Sequence, residues 1–172
     1  AYNLNGQLEF SRKLNNEGRI FSASLSGGYN DSQSDQMSQT NYLDYVNGRD
    51  DIRDQNIKYD NSGFNYRAFL SWVEPIGRNN FIQATYSINQ RKQDQLKNAF
   101  SKDEYGDYTV VDTAQTQNFR NNYINQRASL SFKSVRAKFH YTIGFNVDPS
   151  YSNSERFIGD TVLYNIKQRV VN

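Results

Sequence analysis

The chain has 172 residues, a formal net charge of +2 and a mean hydropathy of −0.89, with 36% hydrophobic and 15% aromatic residues. Acidic and basic residues are interspersed, which excludes the basic stripe of a nucleic-acid-binding protein. The absence of cysteine excludes a disulfide framework and a cysteine metal site, and no run approaches the roughly 18 apolar residues of a membrane-spanning helix.

The first predicted element is a hairpin over residues 2–30. Apolar and polar residues alternate in 4–10 and again in 21–29, which is the period of an extended strand. The sequence NNEG at 15–18 supplies the residues of a tight turn between them.

A second hairpin is predicted over residues 64–90. Every second residue from Phe64 to Trp72 is apolar or aromatic. The same alternation returns from Ile82 to Ile88. The sequence PIGRNN at 75–80 separates the two runs with residues that favour a turn.

The third predicted hairpin covers 123–148 and has the cleanest alternation, with a short turn at 134–136. Pro149 is expected to stop its second strand because proline cannot donate to the ladder. Residues 166–171 are interpreted as the beginning of another strand.

Three polar stretches lack the alternation and are predicted to be long loops, over about 31–61, 91–122 and 149–172. Short and long connections would then alternate, which places all tight turns at one end of the sheet. Bacterial outer-membrane barrels have this asymmetry. About eight strands are needed to close such a barrel, so we expect the chain to be part of a larger one.

The predicted fold class is therefore all-β, an antiparallel up-and-down meander of about six strands that forms part of a transmembrane β-barrel. The apolar residues of each alternating segment would face lipid. The residues between them, which include Arg67, Arg127 and Lys138, would face a wet interior. The alternative is a soluble β-sandwich or small β-barrel that acts as a ligand-binding module.

Two motifs carry a resemblance to a known family. The sequence SWVEPIG at 71–77 is similar to the aromatic-x-Glu-Pro-aliphatic-Gly strand and turn of the TonB-dependent-receptor-like outer-membrane β-barrel family. The run FHYTIGFNVDPS at 139–150 resembles that family's next hairpin. The resemblance covers nearly all of the chain and implies part of a non-enzymatic receptor or transporter for nutrient uptake in the outer membrane of a Gram-negative bacterium. It also implies a plug and contact with the TonB complex through the parent protein, although neither a plug nor a TonB-contacting segment is identifiable in this sequence.

Candidate ligand-binding residues are tyrosines of the predicted loops, because loops usually carry function and tyrosine supplies an adaptable contact surface. They are Tyr42, Tyr45, Tyr59, Tyr105 and Tyr108. An unidentified small ligand is the expected partner, together with outer-membrane lipid. The unpaired edge strands are also expected to self-associate, and no nucleic acid is expected.

Four aromatic residues on the apolar side of the strands are interpreted as girdles at the membrane–water interface, where amphipathic rings are stable. They are Tyr66, Trp72, Tyr86 and Tyr141. The alternative is that they are ordinary aromatic residues of strands, which favour such side chains.

The sequence does not indicate a metal site or a catalytic site. The acidic group Asp50, Asp51 and Asp54 does not have the spacing of an EF-hand loop, so no metal and no cofactor are predicted. His140 is the only histidine and is predicted on the polar face near Ser129 or Ser131. Because nothing in the spacing requires a Ser–His contact, no enzyme is predicted.

Overall fold

The computed structural model describes residues 1–44, 49–159 and 161–172, with side chains described outside 42–52. This part of the chain forms one sheet of nine antiparallel strands. The strands are β1 (Tyr2–Lys13), β2 (Ile20–Asp44), β3 (Arg49–Pro75), β4 (Asn80–Lys102), β5 (Tyr108–Val111), β6 (Gln117–Val135), β7 (His140–Val147), β8 (Pro149–Ile158) and β9 (Thr161–Val171). No helix long and apolar enough to cross a membrane occurs in these residues.

The sheet is an open meander with the order β1-β2-β3-β4-β6-β8-β9. Strands β5 and β6 follow one another along the same edge of β4, and β7 and β8 do the same along β6. The predicted all-β antiparallel meander is therefore confirmed, with nine strands where about six were expected.

Three tight connections lie at one end of the sheet, here called the turn end. They are closed by hydrogen bonds from the amides of Leu14, Ile76 and Arg136 to the carbonyls of Arg19, Asn80 and Phe139, at 2.8, 2.7 and 3.0 Å. Glycines with positive φ, Gly18 and Gly77, allow the first two turns. All three predicted hairpins are present. The last turn is longer than expected, so Lys138 lies in it rather than on β7.

The prediction of long loops over 31–61, 91–122 and 149–172 is wrong wherever the structure describes these residues as strand. Strand β2 continues to Asp44, β3 begins at Arg49, and β8 and β9 occupy most of the last stretch. Pro149 follows the end of β7 but begins β8, because a first strand position tolerates the missing amide hydrogen. We call the end of the sheet formed by these strand extensions the far end.

Cross-strand partners in an antiparallel sheet have their side chains on the same face. One row of partners is Leu8, Leu25, Ala68 and Ile88, and the next row, on the other face, is Gln7, Ser26, Arg67 and Asn89. The sheet thus has an apolar face and a polar face, as the alternation predicted.

No second layer of the described residues covers the apolar face. Leu25, Leu70 and Phe145 are 51%, 45% and 66% exposed, and Ile57 and Ala99, both at the far end, are the buried hydrophobic residues of the described chain. The polar face is held instead by hydroxyl contacts between strands, such as Thr85 Oγ1 to Ser129 Oγ at 2.5 Å.

Candidate functional site

The apolar face is limited to a band. On β3 it extends from Phe64 to Trp72, roughly 26 Å along the strand at about 3.3 Å per residue. Beyond Phe64 the same face of β3 continues with Ser62, Asp60 and Lys58. The apolar surface therefore has a defined height, with polar surface beyond it.

The turn-end boundary of this band shifts from strand to strand. In each of the three hairpins, the first polar residue beyond the band on one strand is paired with a residue that is still apolar on the next. These pairs are Arg12 with Phe21, Glu74 with Ile82, and Ser134 with Tyr141. Between hairpins the boundary stays level, since Phe21 is paired with Trp72 and Ile82 with Phe132. On average it therefore moves by about one residue per strand, as expected where a flat slab cuts across tilted strands.

The far boundary shifts in the same direction over the first strands. Tyr2 is paired with Asp31, and Phe64 is paired with Lys92. On β6 it moves back by one same-face position, since the apolar Ile124 is paired with the polar Gln90. The band thus keeps a similar height along the sheet although its residues change register.

Aromatic rings mark the turn-end boundary. Phe21 lies 6.3 Å from Phe10 and 6.3 Å from Trp72 between ring centroids, and Phe132 lies 6.2 Å from Tyr141. These rings therefore form a row across the strands at the edge of the band.

The predicted girdle residues fall in different places. Trp72 and Tyr141 lie at the turn-end boundary and Tyr66 lies near the far one, in ring contact with Phe64 at 6.0 Å. The placement of Tyr86 at a boundary is wrong, because its partners are Leu70 and Ala128 within the band. Its hydroxyl donates to Gln126 Oε1 at 2.8 Å, which supplies a polar partner there.

Trp72 has a polar partner at the boundary. Its Nε1 donates to Glu74 Oε2 at 3.0 Å, and Glu74 accepts two hydrogen bonds from Arg19 at 2.7 and 2.5 Å. The Arg19 guanidinium lies 5.8 Å from the centre of the indole ring. The indole thus has an apolar body toward the band and a polar edge toward the turn, as an interfacial tryptophan requires.

A second polar cluster joins three strands at the far end. Asp54 of β3 accepts hydrogen bonds from Lys102 Nζ of β4 at 2.6 Å and from the Tyr108 hydroxyl of β5 at 2.7 Å. These two hydrogen bonds, the one from Lys102 first, hold the pKa of Asp54 below its ordinary value of 3.8. We call these three residues the Asp54 cluster.

Most of the burial in the sheet is also at the far end. The segment 112–116 folds over Ala99, whose carbonyl accepts from the Asp112 amide at 2.8 Å and whose amide donates to Thr116 Oγ1 at 3.2 Å. Gln55 Nε2 donates to Asp112 Oδ2 beside them. This end of the sheet is therefore packed, although its composition predicted a solvated loop.

No model of a known protein family matches the chain, and no curated protein matches it. The arrangement of the sheet therefore carries the functional argument.

The structure separates the predicted ligand-binding tyrosines. Tyr108 belongs to the Asp54 cluster, Tyr59 is paired with Lys97 on the polar face, and Tyr105 is 91% exposed in the turn before β5. Tyr42 has its backbone in β2 and a side chain outside the described residues, which also exclude Tyr45. In the part of the chain that is described, no ring contact joins any two of them.

The remaining predicted candidates have separate environments. Asp54 is ion-paired, and the side chains of Asp50 and Asp51 lie outside the described residues. No group of three or more histidine, cysteine or acidic side chains in the described residues could hold a metal ion.

The position predicted for His140 is wrong. It is paired with Val135, whereas Ser131 is paired with Gly144, four residues further along β7. That separation is roughly 13 Å along the strand, because the hairpin register begins at His140 itself. The histidine therefore does not contact either of the serines named above.

Sequence reasoning missed three basic residues of the polar face that lie beyond the predicted hairpins. Arg91, Lys97 and Arg156 all lie in stretches predicted to be loops. Continuing the alternation of β4 to Arg91 and Lys97, and that of β7 to Arg156, would have placed all three on the polar face.

Acidification is expected to loosen the Asp54 cluster. The folded pKa of Asp54 is depressed, so its contribution to stability is complete above the unfolded pKa and is lost as pH falls through the folded value. The protection of residues 100–111 against hydrogen exchange, relative to the intrinsic rate at each pH, should therefore decrease below about pH 4. Asp54→Asn should already exchange faster at pH 7, and an unchanged rate in this variant would contradict the assignment.

Proposed function

We propose that the chain forms part of the wall of an outer-membrane β-barrel in a Gram-negative bacterium, with its apolar face against lipid and its polar face toward a water-filled interior. The observation that carries the proposal is the apolar band whose turn-end boundary shifts by about one residue per strand. A bilayer presents one apolar thickness to every strand, so tilted strands must change register to keep their apolar residues within it.

The exposure of the apolar face supports the same proposal. Monomeric soluble proteins rarely expose contiguous apolar patches larger than about 300–600 Å². Here Leu8, Leu25 and Ile143, from three different strands, are 72%, 51% and 70% exposed. A soluble β-sandwich remains the second candidate, and it would need another layer over this face.

The role that we propose is non-enzymatic binding and uptake of a small ligand, in a receptor that resembles TonB-dependent receptors. Contact with the TonB complex would be made through the parent protein. The strand extensions place Tyr59 and Tyr105 beyond the band, where a ligand from the surrounding medium can reach them. The outer edges of β1 and β9 lack a neighbouring strand in the described sheet, so they are available for pairing with further strands or with another copy.

Tryptophan fluorescence in lipid vesicles tests the membrane placement, because Trp72 is the single tryptophan. Bromine attached to the lipid chains should quench Trp72, most strongly when it is attached near the headgroups. Leu70→Trp in a Trp72→Phe background should be quenched most strongly by bromine attached deeper in the lipid acyl chains.

The matched control moves the tryptophan one position further, to 69, on the polar face. Leu70→Trp and Phe69→Trp differ by one residue along β3 and face opposite sides. The position-69 variant should be quenched weakly at every depth. Equal quenching of both variants, or none in either, would contradict the proposed placement.

A further inference from the structure

Charged residues are distributed unequally between the two faces of the sheet. Among strand residues with described side chains, the polar face carries eight bases. Its carboxylates within the described chain are Glu9 and Asp148, the latter at the junction of β7 and β8. The bases are Lys13, Arg53, Arg67, Arg91, Lys97, Arg127, Lys133 and Arg156. The opposite face, by contrast, carries acids and bases in similar number. The small net charge of the whole chain therefore conceals a strongly basic polar face.

Two carboxylates on or beside this face, Asp148 and Asp112, already have partners of their own. Asp148 holds Arg127 through two hydrogen bonds, at 2.7 and 3.0 Å. Asp112, in the turn after β5, accepts from Gln55 and from the backbone amides of Ala114 and Gln115. These carboxylates do not neutralise the other bases of the face.

Besides Lys13 and Lys133 near the turn end, four bases of the polar face have no ion pair within the described residues. They are Arg67, Arg91, Lys97 and Arg156. Arg91 donates to the neutral amide of Gln93 at 3.2 Å, and Arg156 lies 6.0 Å from the ring centre of Phe119. The opposite face also has bases without an ion pair in the described part of the chain, such as Lys92, but there Lys102 and Arg120 are paired with carboxylates of the same face. The positive charge of these four bases is thus uncompensated within the described residues.

The four bases follow one another along the face. Lys97 and Arg156 are at the far end, Arg91 is nearer the middle, and Arg67 lies on the neighbouring strand, diagonally across from Arg91. Diagonal neighbours on an antiparallel sheet are about 7–8 Å apart. Their cross-strand partners are amides, hydroxyls and aromatic rings, such as Asn89 and Tyr123. An anion with several charges could therefore contact two bases together.

We propose that the polar face binds an oligoanionic solute, one with several phosphate or carboxylate groups, in preference to a neutral or cationic one. The inference deepens the proposed function, because it names the chemical class of ligand for the water-filled side. Guanidinium groups suit this role, since they bind phosphate and carboxylate through two parallel hydrogen bonds. A face lined by one sign of charge also raises the local concentration of the opposite ion.

The test measures tripolyphosphate and citrate binding to the detergent-folded protein by calorimetry, with spermine as the cationic probe. Arg91→Gln and Arg67→Gln should each weaken anion binding roughly two- to fivefold. Lys92→Gln is the matched control, because it removes the same charge from the adjacent residue on the opposite face. It should leave the affinity unchanged, and circular dichroism should show that all three variants are folded.

Comparison of the two anions separates phosphate from carboxylate recognition, and either preference supports the inference if only the arginine variants weaken it. The inference is overturned if Lys92→Gln weakens binding as much as Arg91→Gln, if spermine binds as well as the anions, or if neither anion binds. The result is independent of Trp72 quenching. Selective anion binding without quenching would refute the membrane placement alone, and quenching without anion binding would refute this inference alone.

Discussion

Replacing Leu25 by arginine should destabilise the protein in a lipid bilayer by about 2–4 kcal/mol, the cost of a cation facing the bilayer midplane from a β-barrel. Leu25 is paired with Leu8 and Ala68, which puts it in the middle of the apolar band, and it is half exposed. In a soluble protein, an exposed leucine on a sheet surface would tolerate arginine with a change within about 0.5 kcal/mol. Urea unfolding of the protein in vesicles measures the difference.

Ser24→Arg provides the control for Leu25→Arg. Ser24 is the preceding residue of β2, lies on the polar face and is paired with Glu9, so the new cation gains an acidic neighbour. We expect its free energy of unfolding to stay within about 0.5 kcal/mol of the parent. If both substitutions cost the same, the two faces of the sheet do not differ in environment and the proposed orientation is wrong.

Gly144→Ala should destabilise the β6–β7 pairing by about 1–3 kcal/mol, which is typical of overpacking. A Cβ atom at Gly144 would lie 2.8 Å from Ser131 Cβ and 3.0 Å from the carbonyl oxygen of Leu130. Backbone and Cβ atoms cannot rotate away, so β7 would have to shift. Faster hydrogen exchange in β7, together with a lower free energy of unfolding, would show this shift.

Gly6→Ala is the matched control for this second substitution. Gly6 is also a glycine within a strand, but a Cβ atom there would meet nothing within 4 Å. The substitution should be neutral or slightly stabilising, because alanine restricts the unfolded chain more than glycine does. If both substitutions lower the free energy of unfolding by similar amounts, the space around Gly144 does not limit the side chain there.

The hairpins were predictable because each has one apolar side. From Phe64 to Trp72, alternating apolar residues indicate a strand with one apolar face. The sequences NNEG and PIGRNN indicate the turns. The strand extensions were not predictable by the same method. Ser32 is paired with Asn61 and Asp94 with Arg120, so both faces are polar there and no periodicity marks the strand.

The candidate site was predictable only in part. The parity of Arg67 and Arg127 could be derived from sequence, because both lie in alternating segments. Tyr108 was selected as a ligand-binding residue, whereas the structure uses its hydroxyl to bind Asp54, 54 positions earlier in the chain. A contact across that separation depends on how strands are paired, which local sequence does not encode.

By itself, the sequence determined which residues share a face, where the tight turns fall and that the chain is all-β, because these follow from side-chain period and backbone preference. Only the tertiary structure decided the register between hairpins, and with it the alignment of their apolar segments into one band, the Asp54 cluster and the placement of the bases without an ion pair. The reason is physical. Register is set by hydrogen bonds and packing between strands that are distant in the chain, and a polar strand is stabilised by its neighbours rather than by its own pattern.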